Sequence, residues 1–147
     1  MSQTRPQAEG REAYARFVPV GTRWMDNDIY GHLNNVVYYS LFDTAVNQYL
    51  IEQGALDIHG GEVIGLVVET HCNFFASLAF PQRIDAGLRV AQQGRSSVRY
   101  EIGLFAEGEP LCAARGHFVH VYVDRDNRRP VAQLPQPYLQ ALEGLKL

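Results

Sequence analysis

The sequence lacks the features that mark several large classes of protein. It has only two cysteines, Cys72 and Cys112, among 147 residues, and neither belongs to a CxxC pair or to a spacing typical of metal ligands. No segment approaches the roughly 20 consecutive apolar residues that a membrane-spanning helix needs. The net charge is −3, so no excess of positive charge indicates binding to nucleic acid or to an anionic membrane. These absences argue against a cysteine-based metal site, a membrane-spanning protein and a general nucleic-acid-binding protein.

Length and composition are those of one globular domain. A chain of 147 residues corresponds to about one domain and is long enough to bury its own core. The N-terminal segment is polar and has no apolar signal-peptide core, and both cysteines stand in apolar, strand-like runs where reduced core thiols are expected. These features favour a cytoplasmic protein. We expect a flexible tail over residues 1–12 and a single domain over residues 13–147.

One long helix is predicted from Val36 to Gln53. Apolar residues recur there at the spacing of one helical face, and polar residues fall on the other face. Asn34 or Asn35 is a candidate N-cap, and Gly54 is a candidate terminator just past the end. The apolar face consists of Tyr38, Leu41, Phe42, Ala45, Val46 and Tyr49.

The remaining apolar segments favour strands. The run before the helix contains Pro19, which cannot donate to a β-ladder, so this strand should be irregular or near an edge. After the helix, strand-like runs cover residues 64–75, 84–90, 98–104 and 111–123, separated by turn signals. Short connections are typical of antiparallel neighbours, so these four strands are predicted to form a meander, followed by a short helix over residues 137–145. The order predicts an α+β fold in which one curved sheet wraps a single helix, and its free edges favour pairing into a homodimer.

The residues that could carry chemistry are concentrated in one segment. Asp26 and Asp28 stand just before Gly31-His32-Leu33-Asn34-Asn35 and the predicted helix. A helix N-terminus favours a nearby carboxylate and offers free backbone N–H groups that can stabilise a developing oxyanion. A base or nucleophile beside such donors is what acyl transfer requires. The competing interpretation is that the Asp-rich loop only caps the helix.

This segment resembles the signature of a known family. From Asp26 to Tyr38 the chain fits the pattern D-x-D-x-x-G-H-x-N-N-x-x-Y, which is similar to that of the 4-hydroxybenzoyl-CoA thioesterase family of hotdog proteins. Gly94-Arg95-Ser96-Ser97 also resembles the Gly-x-Ser-Ser turn of that family. The resemblance covers about residues 17–123. Over the Asn-Asn-x-x-Tyr segment it extends to acyl-carrier-protein thioesterases.

The resemblance implies a hotdog fold, with a five-stranded curved antiparallel sheet around one central helix, and hydrolysis of a coenzyme A thioester. Asp28 would be the nucleophile or the general base, and the backbone N–H near Asn35 would polarise the thioester carbonyl. Arg95, Ser96 and Ser97 would lie along the pantetheine or nucleotide of CoA. The site would lie at the interface of a homodimer, or of a homotetramer made of two dimers. No cofactor or metal is expected, because a thiolate is already a good leaving group.

Other residues near Asp28 are further candidates. His32 could orient the substrate or tie down the loop through backbone groups, and the second interpretation is favoured. Gly31 lets the backbone bend or approach a substrate closely. Aromatic side chains could line an acyl or aryl tunnel, although most aromatic residues are core; these are Tyr30, Tyr38, Tyr39, Phe74 and Phe75.

Three further sets of residues are weighed against plain structural roles. Asp43 on the helix is an alternative catalyst, because another branch of hotdog thioesterases uses a carboxylate on the central helix. His117 and His120 do not indicate a metal site, since residues three apart on a strand point to opposite faces. The turn with Arg125, Arg128 and Arg129 could meet the phosphates of CoA, but such turns are more often simply solvated.

Two other functions stay open. The acyl donor could be an acyl carrier protein, although the net charge of −3 does not favour docking to an acidic carrier. The chain could also be a non-catalytic acyl-CoA-binding protein, because a fold does not fix a function. Asp28 argues against the second possibility, since a binding protein has no need of that carboxylate.

Overall fold

The computed structural model describes residues 5–147, so the first part of the expected tail, residues 1–4, lies outside the described residues. The elements are β1 (Arg16–Val20), α1 (Asn35–Glu52), β2 (Val63–Phe74), β3 (Ile84–Gln93), β4 (Ser97–Ala106), β5 (Ala114–Asp124) and α2 (Gln136–Glu143), and two short 3₁₀ turns cover Arg11–Ala13 and Trp24–Asp26. The five strands form one antiparallel sheet in the order β1-β3-β4-β5-β2. The predicted α+β fold is confirmed.

Helix α1 supplies the centre of the core. All six predicted apolar-face residues are buried, and they belong to the same apolar cluster as the inward-facing residues of β3, β4 and β5. The side chain of Asn34 caps the helix by accepting a hydrogen bond from the N–H of Val36, and Gly54 follows the end with a φ of 75°. The predicted cap and terminator are therefore both found. Neither helix of the described chain is long and apolar enough to cross a bilayer.

The strand order differs from the predicted meander. Strands β3, β4 and β5 are consecutive neighbours, but β2 pairs with β5 at one edge and β1 pairs with β3 at the other edge. The connection over residues 75–83 therefore crosses the sheet instead of closing a hairpin. The alternation of apolar and polar residues identifies a strand but not its neighbour in the sheet. Strands pair through backbone N–H and C=O groups, and these are the same for every residue. The prediction that the strand with Pro19 lies near an edge is confirmed.

The end of the expected tail is packed against the sheet. Residues 9–14, which we call the N-terminal strap, lie on the face opposite α1, where Gly10 forms a β-bridge with Leu111. The ring of Tyr14 sits over the paired glycines Gly87 and Gly103, where an added Cβ would lie 2.7 Å and 2.6 Å from Tyr14 ring atoms. The polar composition of the strap suggested a tail, but Glu9 and Arg11 form ion pairs with Arg89 and Asp85 on β3.

Candidate active site

The loop before α1 is held by backbone hydrogen bonds and by one side-chain hydrogen bond. Asn27 and Leu33 form an isolated antiparallel bridge, and the N–H of Leu33 donates to the carbonyl of Leu78 at 2.8 Å. The side chain of Asn27 accepts from the N–H of Phe80 at 2.9 Å. The loop is thereby fixed to the connection between β2 and β3.

The carboxylate of Asp28 is oriented by the loop itself. Its Oδ1 accepts hydrogen bonds from the backbone N–H groups of Tyr30 at 2.8 Å and His32 at 3.2 Å. This is the local turn that aspartate side chains favour, and Gly31 completes it with a φ of 81°. Within residues 5–147, Oδ2 has no hydrogen-bond partner. One oxygen therefore fixes the carboxylate while the other stays free.

Asp26, the first aspartate of the motif, has a different environment. Its side chain is buried, with 3% of its surface exposed. It accepts bonds from the backbone N–H of Arg23 at 2.8 Å and from the guanidinium of the same residue at 2.9 Å. Both of its oxygens are engaged, so Asp26 holds the loop and is not free to act on a substrate.

The N-terminus of α1 presents one free donor beside Asp28. The N–H of Val36 is satisfied by the Asn34 side chain, and the N–H of Val37 donates to the carbonyl of Asn34. The N–H of Asn35 donates to no acceptor in the part of the chain that the structure describes. Asn35 and Asp28 line the same pocket. The pocket is thus lined by a residue with a carboxylate and by a residue with an unused helix N–H, and acyl transfer uses these two kinds of group together.

This pocket is an open depression of about 350 Å³. The ring of Tyr38 packs edge-on against Phe74, with 4.7 Å between ring centroids, and 46% of Phe74 is exposed. Burial is the main cause that raises the pKa of Tyr38, and the nearby charge of Asp28 adds to it, so this hydroxyl is neutral at physiological pH. The lining consists of Asp28, His32, Leu33, Asn35, Tyr38, Phe74, Phe75, Ala76 and Ser77.

Four of the predicted site residues meet in this pocket: Asp28, His32, Asn35 and Tyr38. Gly31 shapes the loop behind them, whereas Tyr30 projects outward with 79% of its surface exposed.

The turn with Arg95, Ser96 and Ser97 lies at the other end of the sheet. Ser97 of β4 pairs with Val121 of β5, and Phe74 of β2 pairs with Ala114 of β5. At about 3.4 Å per residue, the seven positions between Ala114 and Val121 separate the pocket end of the sheet from the Ser97 end by roughly 24 Å. Arg95 instead borders a separate cavity of about 650 Å³. A single chain therefore does not bring Arg95, Ser96 and Ser97 to Asp28.

Part of the pocket wall was missed by the sequence reasoning. Ala76 and Ser77 lie in the crossing connection after β2, and Asn27 ties the Asp28 loop to that connection. Short side chains in a loop form neither a periodic apolar pattern nor a charge pattern. No signal in the sequence places this connection beside a loop some 50 positions earlier.

The alternative candidates have structural partners. Asp43 is exposed on α1, accepts a bond from the side-chain amide of Asn47 at 2.9 Å, and does not line the pocket. Arg125 donates to the carbonyls of Gly61 and Ile58, so its guanidinium holds the loop before β2. Both observations agree with the structural interpretations.

The two histidines of β5 point to opposite faces, as predicted. Nε2 of His117 lies 2.8 Å from a carboxylate oxygen of Glu69 on the outer face of the sheet. His120 faces the core with only 2% of its surface exposed.

One family model matches more than half of this chain. The family model described as the thioesterase superfamily matches residues 30–113, whereas a search of curated proteins gave no match. The crystal structure of the PA5185 protein from Pseudomonas aeruginosa is 60% identical, with a TM-score of 0.92 over 95% of this chain and 97% of that chain.

Two more distant structures share the fold. A 1,4-dihydroxy-2-naphthoyl-CoA thioesterase from Synechocystis is 18% identical, with a TM-score of 0.76 over 86% of this chain and 93% of that one. A DHNA-CoA thioesterase from Staphylococcus aureus is 20% identical, with a TM-score of 0.74 over 87% and 86%.

Proposed function

Because the chain belongs to the thioesterase superfamily and is a thioester hydrolase, we propose that it hydrolyses acyl-CoA to the free acid and CoA, with Asp28 as the catalytic carboxylate. One observation carries this assignment. Asp28 and Asn35 line the same pocket, and within residues 5–147 neither Oδ2 of Asp28 nor the N–H of Asn35 has a hydrogen-bond partner. A base or nucleophile and an oxyanion donor are thereby available to one thioester carbonyl.

In the general-base form of the reaction, Oδ2 of Asp28 takes a proton from a water molecule as the water oxygen attacks the carbonyl carbon. The carbonyl oxygen becomes an oxyanion, which accepts a hydrogen bond from the N–H of Asn35. Collapse of this intermediate breaks the carbon–sulfur bond, and the departing CoA thiolate receives the proton from Asp28. In the nucleophilic form, Oδ2 attacks the carbonyl carbon itself, and the CoA thiolate leaves as the carbon–sulfur bond breaks. Water then hydrolyses the resulting anhydride, which releases the acid, restores the Asp28 carboxylate and supplies the proton that the CoA thiolate takes up.

The remaining pocket residues are assigned to substrate binding. Tyr38 and Phe74 offer an apolar wall for the acyl group, because their rings form one edge-on pair beside Asp28. The bend at Gly31 keeps the backbone close to the thioester. His32 lines the pocket, and its imidazole is assigned to contact with the substrate near the sulfur, while its backbone N–H holds Asp28.

A homodimer would complete this site. Strand β2 is an edge strand with large apolar residues exposed at Leu66, Val67 and Val68. Antiparallel pairing of β2 with its copy would place the Val63 end of one strand beside the Phe74 end of the other. The turn with Arg95, Ser96 and Ser97 lies toward the Val63 end. Such pairing would therefore bring the second chain's turn toward Asp28, where it could contact CoA.

Exposed apolar residues around the loop also support a partner surface. Large exposed side chains are normally scattered singly, and a local concentration marks an interaction site. The exposed residues here are Trp24, Met25, Ile29, Tyr30 and Val36. A second copy of the chain would cover them, and two such dimers could form a tetramer. We place this assembly in the cytoplasm because Cys72 and Cys112 are both free thiols.

The proposal is tested by CoA release, followed with a thiol reagent, from short, medium, long and aryl acyl-CoAs. Asp28→Asn should lose about 100-fold or more in kcat, the scale of a lost acid–base group. Asp43→Asn is the matched control, and its activity should equal that of the wild type, because Asp43 is exposed and lies outside the pocket.

Other outcomes would point elsewhere. If the wild type hydrolyses acyl carrier protein thioesters but not acyl-CoAs, the acyl donor is the carrier protein and the proposed role of Asp28 is unchanged. Tight acyl-CoA binding without turnover of any thioester would contradict the enzyme assignment. Mass measurement by light scattering would test the dimer, and a monomer with full activity would refute the shared site.

A further inference from the structure

One wall of the candidate site lies close to the N-terminal strap. Phe74, Ala76 and Ser77 line the pocket, but Phe75 between them also packs against a small outer cluster that includes Tyr14 and Cys112. This cluster is separate from the main core around α1. Phe75 therefore contacts both the site and the packing under the strap.

Backbone hydrogen bonds connect the strap to this wall. The N–H of Cys112 donates to the carbonyl of Glu9 at 3.0 Å, and the N–H of Glu9 donates to Sγ of Cys112 at 3.3 Å. The next residue, Ala113, uses its carbonyl to accept from the N–H groups of both Phe75 at 2.8 Å and Ala76 at 3.0 Å. A continuous series of contacts thus runs from Glu9 to the pocket.

The side chain of Glu9 anchors the strap on the sheet. Its oxygens accept from the guanidinium of Arg89 at 3.0 and 3.1 Å and from the hydroxyl of Tyr14 at 3.1 Å, and one of them lies 3.0 Å from the guanidinium of Arg115. Burial would raise the pKa of Glu9, but the hydrogen bonds from the two arginines lower it below its usual value. Glu9 is therefore ionised at neutral pH. Charge-assisted hydrogen bonds of this kind are stronger than neutral ones.

We propose that Glu9 is a positioning residue for substrate binding, which holds Cys112 and Ala113 and, through them, the wall from Phe74 to Ser77. This inference rests on the proposed function of the pocket. Asp28 and Asn35 are fixed by their own local bonds, which do not involve the strap. Loosening the strap should therefore weaken binding of the acyl group more than it slows the chemical step.

The test compares Glu9→Ala with Glu12→Ala in the full chain. Glu12 lies in the same strap and is exposed, which makes it the matched control. Hydrogen exchange at the amides of Phe75 and Ala76 should become about tenfold faster in Glu9→Ala, the effect of about 1.4 kcal/mol of local opening. KM for acyl-CoA should rise several-fold while kcat stays within about twofold. Glu12→Ala should change neither quantity.

Two outcomes would overturn the inference. One is unchanged exchange at Phe75 and Ala76, and the other is an unchanged KM with only a lower melting temperature, which would indicate a purely structural ion pair. If Glu9→Ala does not fold, Glu9→Gln keeps the shape and supplies the same two readouts. The exchange measurement is independent of turnover. Full activity of Asp28→Asn would therefore refute the site assignment without deciding whether Glu9 controls the wall.

Discussion

Two hydrogen bonds join Asp28 and His32, one in each direction. The N–H of Asp28 donates to the carbonyl of His32 at 2.7 Å, and the N–H of His32 donates back to Oδ1 of Asp28 at 3.2 Å. The orientation of the carboxylate thus depends on the backbone of His32, not on its imidazole.

This relationship predicts unequal effects of two substitutions. His32→Ala keeps the backbone N–H that holds Asp28, so its kcat should fall by less than about tenfold, whereas Asp28→Asn should lose about 100-fold or more. Steady-state kinetics on the best acyl-CoA of the panel measure both values. A loss in His32→Ala as large as that in Asp28→Asn would instead make the imidazole part of the chemistry.

A β-branched side chain at Gly31 should lower both activity and stability. The φ of Gly31 is 81°, and an added Cβ would meet no other atom within 4 Å, so the penalty comes from the backbone alone. That penalty is about 1–2 kcal/mol for most residues and smaller for asparagine. Gly31→Val should therefore lower kcat and the free energy of unfolding more than Gly31→Asn does. Equal behaviour of the two variants in urea unfolding and kinetics would refute the role of this bend.

The contact between Gly103 and Tyr14 should appear as a coupling free energy between substitutions at the two positions. Gly103→Ala introduces a Cβ 2.6 Å from the Tyr14 ring, and overpacking of this kind lowers the free energy of unfolding by about 1–3 kcal/mol. In a Tyr14→Ala background the same change should cost much less, because the ring is gone. Urea unfolding of the four proteins in this cycle measures the coupling. The same cost in both backgrounds would show that the strap does not pack on the glycine pair.

His120 should make stability depend on pH. Burial lowers its pKa from 6.5 to about 4, and its Nε2 is buried without a hydrogen-bond partner within the described chain. The folded state therefore favours the neutral ring, while the unfolded chain gains a proton below about pH 6.5. The contribution is complete above pH 6.5 and is lost as pH falls toward 4, with a loss of about 2 kcal/mol by pH 5.

Urea unfolding at pH 7.5 and pH 5 tests this prediction. His120→Phe should show a smaller decrease between the two pH values than the wild type, because a phenyl ring cannot be protonated. His117→Phe is the control, since His117 lies on the outer face beside Glu69. An equal decrease in wild type and His120→Phe would mean that other groups carry the pH dependence.

Much of the site's local geometry could be predicted from the sequence. The helix was predicted to within one residue at each end, and the observed N-cap, Asn34, was one of two candidates. The pairing of Asp28 with the start of α1 was also expected. These features depend on residues within a few positions of one another, so a short segment contains the information that forms them.

The sequence alone determined the strands, the helix, the capped N-terminus and the loop that presents Asp28. Only the tertiary structure decided which strands pair, that residues 9–14 pack as a strap, and that Ala76 and Ser77 close the pocket beside Asp28. It also decided that the turn at Arg95 lies at the far end of the sheet from Asp28. Local conformation follows from local sequence, whereas strand pairing uses backbone groups that every residue shares, so the packing of the whole chain selects among the alternatives.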